Sequence, residues 1–261
     1  MSLWALLPAS LFIGTISGAW IVYAMALYNH HVCPVNNWVY NSSCEERLVV
    51  QTGPFLCCTL DNIPLISKCG AFPPESCLFS LLCSIGSFMV MLIGLLRYAQ
   101  VIHRQQNSLL NMLGLCTGWL CAAGLTVVGN FQVDFVKVLH YVGAGLAFPS
   151  SLLFVCAQTV LTYRLAKTQR DFHTVHLRAA LSLLALVTLI LILGGVFFVQ
   201  ESFALQHAAA LCEWLFAIVI LLFYGSFVFE FRFISTDTLV VLIQKGAALH
   251  LSQNDCKLES A

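Results

Sequence analysis

The sequence predicts an all-α integral membrane protein: a bundle of six transmembrane helices with a disulfide-stapled first extracellular loop. Three observations predict it. The chain of 261 residues is 59% apolar and only 9% charged, with a mean hydropathy of +0.87, whereas a soluble domain carries about 25% charged residues. Six apolar runs, near 4–28, 77–99, 108–129, 138–163, 179–199 and 207–229, are each long enough to cross a hydrocarbon core of about 30 Å, which takes about 20 helical residues. The basic residues are distributed unevenly between the links. If both termini are cytoplasmic, the inner segments hold Arg97, Arg104, Arg164, Lys167, Arg170, Arg178, Arg232, Lys245 and Lys257, against Arg47, Lys68 and Lys137 outside. That is the bias of cytoplasmic loops, and the reverse topology would invert it. The expected organisation is a six-span membrane domain over 1–233, with an extracellular loop at 29–76, and a cytoplasmic tail over 234–261.

The first run has an alternative reading as a cleaved signal peptide, because Ala24-Met25-Ala26 resembles a cleavage site. No Lys or Arg precedes the run, and it is longer than a signal-peptide core, so a retained span is expected. GTISG (14–18) agrees, since glycines one turn apart let a neighbouring helix approach closely. GLCTG (114–118) repeats that spacing in the third run. Packing inside the bundle is the expectation there, and a dimerisation face, which would make an oligomer, is the alternative. Pro149 falls within the fourth run and lacks the N–H of the helical ladder, so a kink is expected.

The loop at 29–76 gathers Cys33, Cys44, Cys57, Cys58 and Cys69, with Cys77 at the mouth of the second span. On the side that the charge bias places outside, such a cluster reads as disulfides. The sequence does not choose the pairing, except that adjacent Cys57 and Cys58 are not expected to bond to each other. A metal site is the sharper alternative, but no histidine or acid spacing supports it, and none is predicted. Asn41-Ser42-Ser43 is a glycosylation sequon, and Asn41 is expected to carry a glycan. Glu75-Ser76, after Pro73-Pro74, reads as a helix start.

Polar residues inside the spans are costly and therefore informative. Glu213 lies about 9 Å into the sixth span, at about 1.5 Å per residue. His140, Asn130 and Gln132 fall at a similar level, and Gln158 is the only comparable group read toward the inner side. The expectation is an intramembrane polar network of Glu213, His140, Asn130 and Gln132, in which Glu213 pairs with His140 or with a backbone group and pins the outer bundle. A ligand or lipid pocket is the alternative. A pore would need polar lining across the whole thickness, which this pattern does not offer.

The formal net charge is zero, so no global field attracts nucleic acid. The chain has no zinc-type CxxC pair, P-loop, HExxH or GxGxxG after a strand. His30-His31 has no acid partner placed by sequence. No catalytic, cofactor-binding or metal residues are therefore predicted, and the chain is not expected to be an enzyme. The segment RLAKTQRDFHTVHLR (164–178) is the most basic link, and it suits either plain topogenesis or contact with anionic lipid. In the tail, Ser235 or Asp237 is placed to cap a short helix before an apolar stretch. Cys256 lies too far from the end for a prenylation box.

Seven stretches, NHHVCPV (29–35), CCTLDNIPLISKCG (57–70), PPESCLFS (73–80), VVGNFQVD (127–134), LHYVGAGLAFP (139–149), ALCEW (210–214) and FYGSF (223–227), resemble the damage-regulated autophagy modulator superfamily and, within it, the transmembrane protein 150 branch of A type. The resemblance runs in order from about residue 3 to 243. PPES, GNFQ and CEW belong to the superfamily at large, while the cysteine-rich loop points to the A type. The resemblance implies a six-span plasma-membrane protein with both ends cytoplasmic. It also implies a non-enzymatic role as a regulator or adaptor that recruits a phosphatidylinositol 4-kinase complex with its membrane adaptors. Two alternatives come with it: a lysosomal or endosomal modulator of autophagy, and an ion channel or channel modulator. Because CEW is shared across the superfamily, Glu213 fits a common scaffold better than one branch's activity.

Overall fold

The computed structural model describes residues 2–39, 58–104, 108–198 and 202–235, together with Thr238 and Val240. After a single turn at Leu3–Ala5, the helices are α1 (Leu6–Tyr28), α2 (Ile66–Cys69), α3 (Glu75–Arg104), α4 (Leu109–Asn130), α5 (Lys137–Leu165), α6 (Gln169–Phe198), α7 (Phe203–Gly225) and α8 (Val228–Phe231). The described residues contain six helices long and apolar enough to cross a membrane. These six are α1, α3, α4, α5, α6 and α7, the last running on into α8.

Successive long helices pack side by side in the order α1, α3, α4, α5, α6, α7, and α7 returns to α1, which closes the ring. α1 is thus an integral wall of the bundle. One end of the ring, here the terminal end, carries the first turn and α8, joined where the Ser2 N–H donates to the Arg232 carbonyl at 3.3 Å. The other, the cap end, carries residues 29–39 and 58–74 and the α4–α5 turn. Between them the axis is filled by Phe154, Phe216, Phe223, Tyr224 and Phe227, with Ile93 and Val155. Phe154 stacks on Tyr224 at 5.1 Å.

Hydropathy located every span but misjudged one start. The apolar run near 179–199 belongs to a helix that begins at Gln169. The helix starts ahead of the apolar run, and its first turn is capped. The Thr168 hydroxyl accepts from the Asp171 N–H at 3.3 Å, while the Asp171 carboxylate accepts from the Thr168 and Lys167 N–H groups at 2.9 and 3.0 Å. This reciprocal arrangement satisfies donors that a helix start otherwise leaves orphaned. Most of the basic segment 164–178 is therefore helix, and Arg178 is turned into the bundle.

The small residues of α4 face α5. A Cβ built on Gly118 would sit 3.1 Å from the Phe154 ring, and one on Gly114 would meet the Gln158 amide. GLCTG is thus an intramolecular packing face. In GTISG, Gly18 lies under Leu82 of α3, whereas Gly14 faces open space. α5 continues as one helix through Pro149.

At Gly124 the closest atoms are backbone: a Cβ there would lie 2.6 Å from both the Ala147 nitrogen and the Gly143 carbonyl oxygen. A flexible side chain cannot relieve that clash, so α4 and α5 would have to separate. Gly124→Ala is expected to lower stability by about 1–3 kcal/mol, the usual range for overpacking. Gly145→Ala, with nothing within 4 Å of its Cβ, is expected to be near neutral. Thermal unfolding of the purified protein in detergent compares the two, and equal shifts would contradict the close approach.

Candidate functional site

At the cap end the chain leaves α1 through a Schellman-type stop. His30 adopts φ 60°, its N–H donates to the Leu27 carbonyl at 3.2 Å, and the His31 N–H donates to the Ala26 carbonyl at 2.8 Å. This turn aims two side chains at the start of α3. The Asn29 amide and the His31 ring nitrogen Nδ1 lie 2.6 and 3.1 Å from Glu75 Oε1. Glu75 is fully buried, and its carboxylate suits the positive end of α3. The acid partner that sequence could not assign to His31 is therefore the glutamate of PPES.

Cys33 is bonded to Cys58, which staples residues 29–39 to the strap 58–70. The Cys33 N–H also donates to the Asn62 carbonyl at 2.7 Å. Among the other predicted disulfide partners, Cys69 and Cys77 are free thiols. Cys44, Cys57 and Asn41 lie outside the described residues. Cys69 is buried, and burial, then the nearby Glu213 carboxylate, push its thiol up, so it stays protonated at neutral pH.

Glu213 and Trp214 hold this strap to α7. The buried Glu213 carboxylate accepts from the backbone N–H groups of Ile66 and Ser67, at the start of α2. The Trp214 indole N–H donates to the Pro64 carbonyl at 2.9 Å. Its ring stacks on Trp20 at 5.1 Å and meets Tyr23 edge-on at 5.7 Å. Tyr23 in turn accepts from the Val35 N–H at 3.0 Å, and His207 Nε2 donates to the Val35 carbonyl at 2.9 Å. Lys68 forms an ion pair with Asp134 in the α4–α5 turn. Side chains of α1, α3, α7 and the α4–α5 turn thus hold one compact cap.

The four residues expected to form one polar network are divided among different contacts. Glu213 takes the backbone-group alternative and not His140. His140 Nδ1 donates to the Phe131 carbonyl at 2.7 Å and stabilises the α4–α5 turn. Asn130 accepts from Ser80 at 2.8 Å and donates to the Thr126 carbonyl at 2.8 Å, tying α4 to α3. Gln132 contributes its backbone carbonyl, which accepts from the Phe135 and Val136 N–H groups. The division has a physical cause: buried backbone donors and acceptors left unpaired where helices start and end need partners, and the Glu213 and His140 side chains go to those at the start of α2 and the end of α4.

The terminal end holds a cluster that sequence reasoning missed. Arg178 is 0% exposed. Its Nη1 and Nη2 groups donate to the two Glu230 oxygens at 2.6 and 2.7 Å, a bidentate pair, and its Nε donates to the Ser226 hydroxyl at 2.9 Å. Arg97 lies 3.6 Å from the same carboxylate and donates to Gln100 and Gln158 at 2.7 and 3.2 Å. Thr162 accepts from Arg178 at 2.6 Å. The Phe227 ring faces both guanidiniums, at 4.4 Å from Arg178 and 5.7 Å from Arg97. Buried polar groups therefore do not concentrate at the cap end, and Gln158 belongs to a larger set. Helices α3, α5, α6, α7 and α8 meet here on two cations and one anion. In the sequence, both arginines read as charges flanking the spans, and Glu230 lies at the end of an apolar run.

The chain matches the family described as Frag1/DRAM/Sfk1/Cwh43P N-terminal domain over residues 3–234, and it belongs to that family. It is a multi-pass membrane protein. Within the family it is 54% identical over 248 residues to transmembrane protein 150A of Xenopus laevis, which covers 95% of this chain and 91% of the relative. It is 56% identical over 244 residues to transmembrane protein 150A of Homo sapiens, which covers 94% and 89%. The modulator of macroautophagy TMEM150B of Xenopus tropicalis is 32% identical over 228 residues, covering 87% and 86%. No solved structure matches the chain.

Proposed function

We propose that this protein is a non-enzymatic plasma-membrane regulator that recruits a phosphatidylinositol 4-kinase complex, with both termini in the cytoplasm and the cap outside. The greater similarity to relatives named 150A than to those named 150B supports the A-type reading. The observation that carries the orientation is the terminal end itself, where Arg104, Arg164, Lys167 and Arg170 are all exposed. A cationic end suits the negative cytoplasmic leaflet, at about 1 kcal/mol per basic residue near the surface. It also suits docking of a membrane-bound kinase and its adaptors.

The test is the recovery of plasma-membrane phosphatidylinositol 4-phosphate after phospholipase C activation in cells lacking the protein. Recovery is expected to be slow and to be restored by the full chain. A chain ending at Val240 keeps Ile234 and Thr238, both of which are buried, so it separates the tail from the fold. Rescue by the full chain alone places the kinase contact in the tail, and equal rescue places it on the links. Unaltered recovery without the protein would remove the proposal. It would then favour the second reading, a modulator of autophagy, which is how the relatives at 30–33% identity are named.

A further inference from the structure

Above the buried cluster, the terminal end brings together three arginines. Arg104 ends α3, Arg170 lies in the first turn of α6, and Arg232 follows α8. Arg170 and Arg232 face the same ring, with guanidinium carbons 5.9 and 5.6 Å from the Phe229 centroid. Arg232 also lies 5.8 Å from the Phe233 centroid. Arg104 is within electrostatic reach of Asp171, one residue beyond Arg170, and of Glu230. None of the three makes an ion pair among the described residues. The two acids nearby are already engaged: Glu230 is held by Arg178, and Asp171 caps α6. The Arg232 Nε is buried and has no hydrogen-bond partner among the described residues.

Like charges brought to one aromatic ring, with no acid among the described residues paired to them, make a positive site. Phe229 and Phe233 are 44% and 67% exposed, so the site has an apolar floor open to the bilayer. Its height is that of lipid headgroups, because these residues lie where the spanning helices end. We propose that Arg170 and Arg232, which share the Phe229 ring, bind together with Arg104 the phosphomonoester headgroup of an anionic lipid. Guanidinium forks match phosphate oxygens bidentately. A phosphomonoester carries about −1.5 to −2 charges at neutral pH, which balances several cations better than a single negative charge does. The acyl chains would lie along Phe229 and Phe233. This site does not depend on the kinase reading and shares with it only the cytoplasmic placement of this end.

The test uses the purified full chain in phosphatidylcholine nanodiscs doped with phosphatidic acid or with phosphatidylserine, and counts retained lipid by native mass spectrometry. Phosphatidic acid is expected to be retained in preference to phosphatidylserine. Arg170→Gln with Arg232→Gln is expected to weaken retention about tenfold, equivalent to about 1.4 kcal/mol, and salt should weaken it in the wild type. Lys137→Gln, an exposed lysine at the cap end, should leave it unchanged. Unfolding temperatures confirm that the variants are folded. Equal retention by the double variant, or the same loss with Lys137→Gln, would overturn the site. Retention of phosphatidylserine equal to that of phosphatidic acid would overturn the monoester preference. Displacement by inorganic phosphate at concentrations matching the lipid would assign the site to a free anion and overturn the lipid source. None of these outcomes reads kinase recruitment.

Discussion

Arg178→Met is expected to destabilise the folded protein by about 3–5 kcal/mol, the cost of leaving a buried charge without its partner. The effect falls on Glu230. Thr162 and Ser226 lose Arg178 but keep their hydroxyl bonds to the Gln158 and Phe223 carbonyls, at 2.7 and 2.6 Å, so neither hydroxyl is orphaned. Glu230 loses both of its short contacts, and of its ion pairs among the described residues it keeps that with Arg97 at 3.6 Å. Arg97→Met should cost clearly less, because the bidentate pair survives and two like charges no longer share one carboxylate. Arg178→Met combined with Glu230→Gln should recover part of the loss, since a removed pair is far cheaper than a broken one. A double-mutant cycle measured by denaturant unfolding in detergent checks this order. If Arg97→Met were the more damaging single change, or if the double variant lost as much as the two singles together, the pairing would not be what holds this end.

The order bears on the proposed lipid site because the cluster adjoins it through Glu230. Glu230 is one residue from Phe229, around which Arg170 and Arg232 gather. Holding Glu230 inward on Arg178 keeps its charge out of the surface site. The same pairing fixes α8 against α6, and so fixes Arg232 relative to Arg170.

Some of this was legible in the sequence and some was not. The spans were legible because crossing hydrocarbon demands length and apolarity, and both are local properties. The start of α6 was recoverable too: Thr168-Gln169-Arg170-Asp171 has the spacing of a capping box, but hydropathy looks past it. The Arg178–Glu230 pair was not legible, because its members are 52 residues apart and periodicity carries no information about which distant helices meet. Glu213 lies between these cases. Its position within an apolar run marked it as engaged, but its partners are the backbone donors of Ile66 and Ser67, and backbone groups have no signature in residue type. The Cys33–Cys58 staple had the same limit: the cluster was visible, and the pairing needed the fold.

Trp214→Ala is expected to cost about 3–5 kcal/mol, the range for a large aromatic removed from a packed site. It also loosens the cap specifically. The change removes the stack on Trp20, the contact with Tyr23 and the bond to the Pro64 carbonyl. Trp214→Phe should keep most of the packing and lose chiefly the indole bond, at about 0.5–1.5 kcal/mol. Glu213→Ala leaves the Ile66 and Ser67 donors buried without an acceptor, whereas Glu213→Gln keeps an amide oxygen there and should be milder. Cys69 reports the difference directly. It lies in α2 between these anchors, buried and protonated, and should resist maleimide in the wild type while exposed Cys77 reacts. Trp214→Ala and Glu213→Ala should expose it, Glu213→Gln much less so. Arg178→Met, at the opposite end of the bundle, should leave it shielded in the folded fraction, because distant sites act independently. If Cys69 became equally reactive in all of these variants, the protein would be opening as a whole, and Glu213 and Trp214 would be ordinary core residues and not the clamp on the cap.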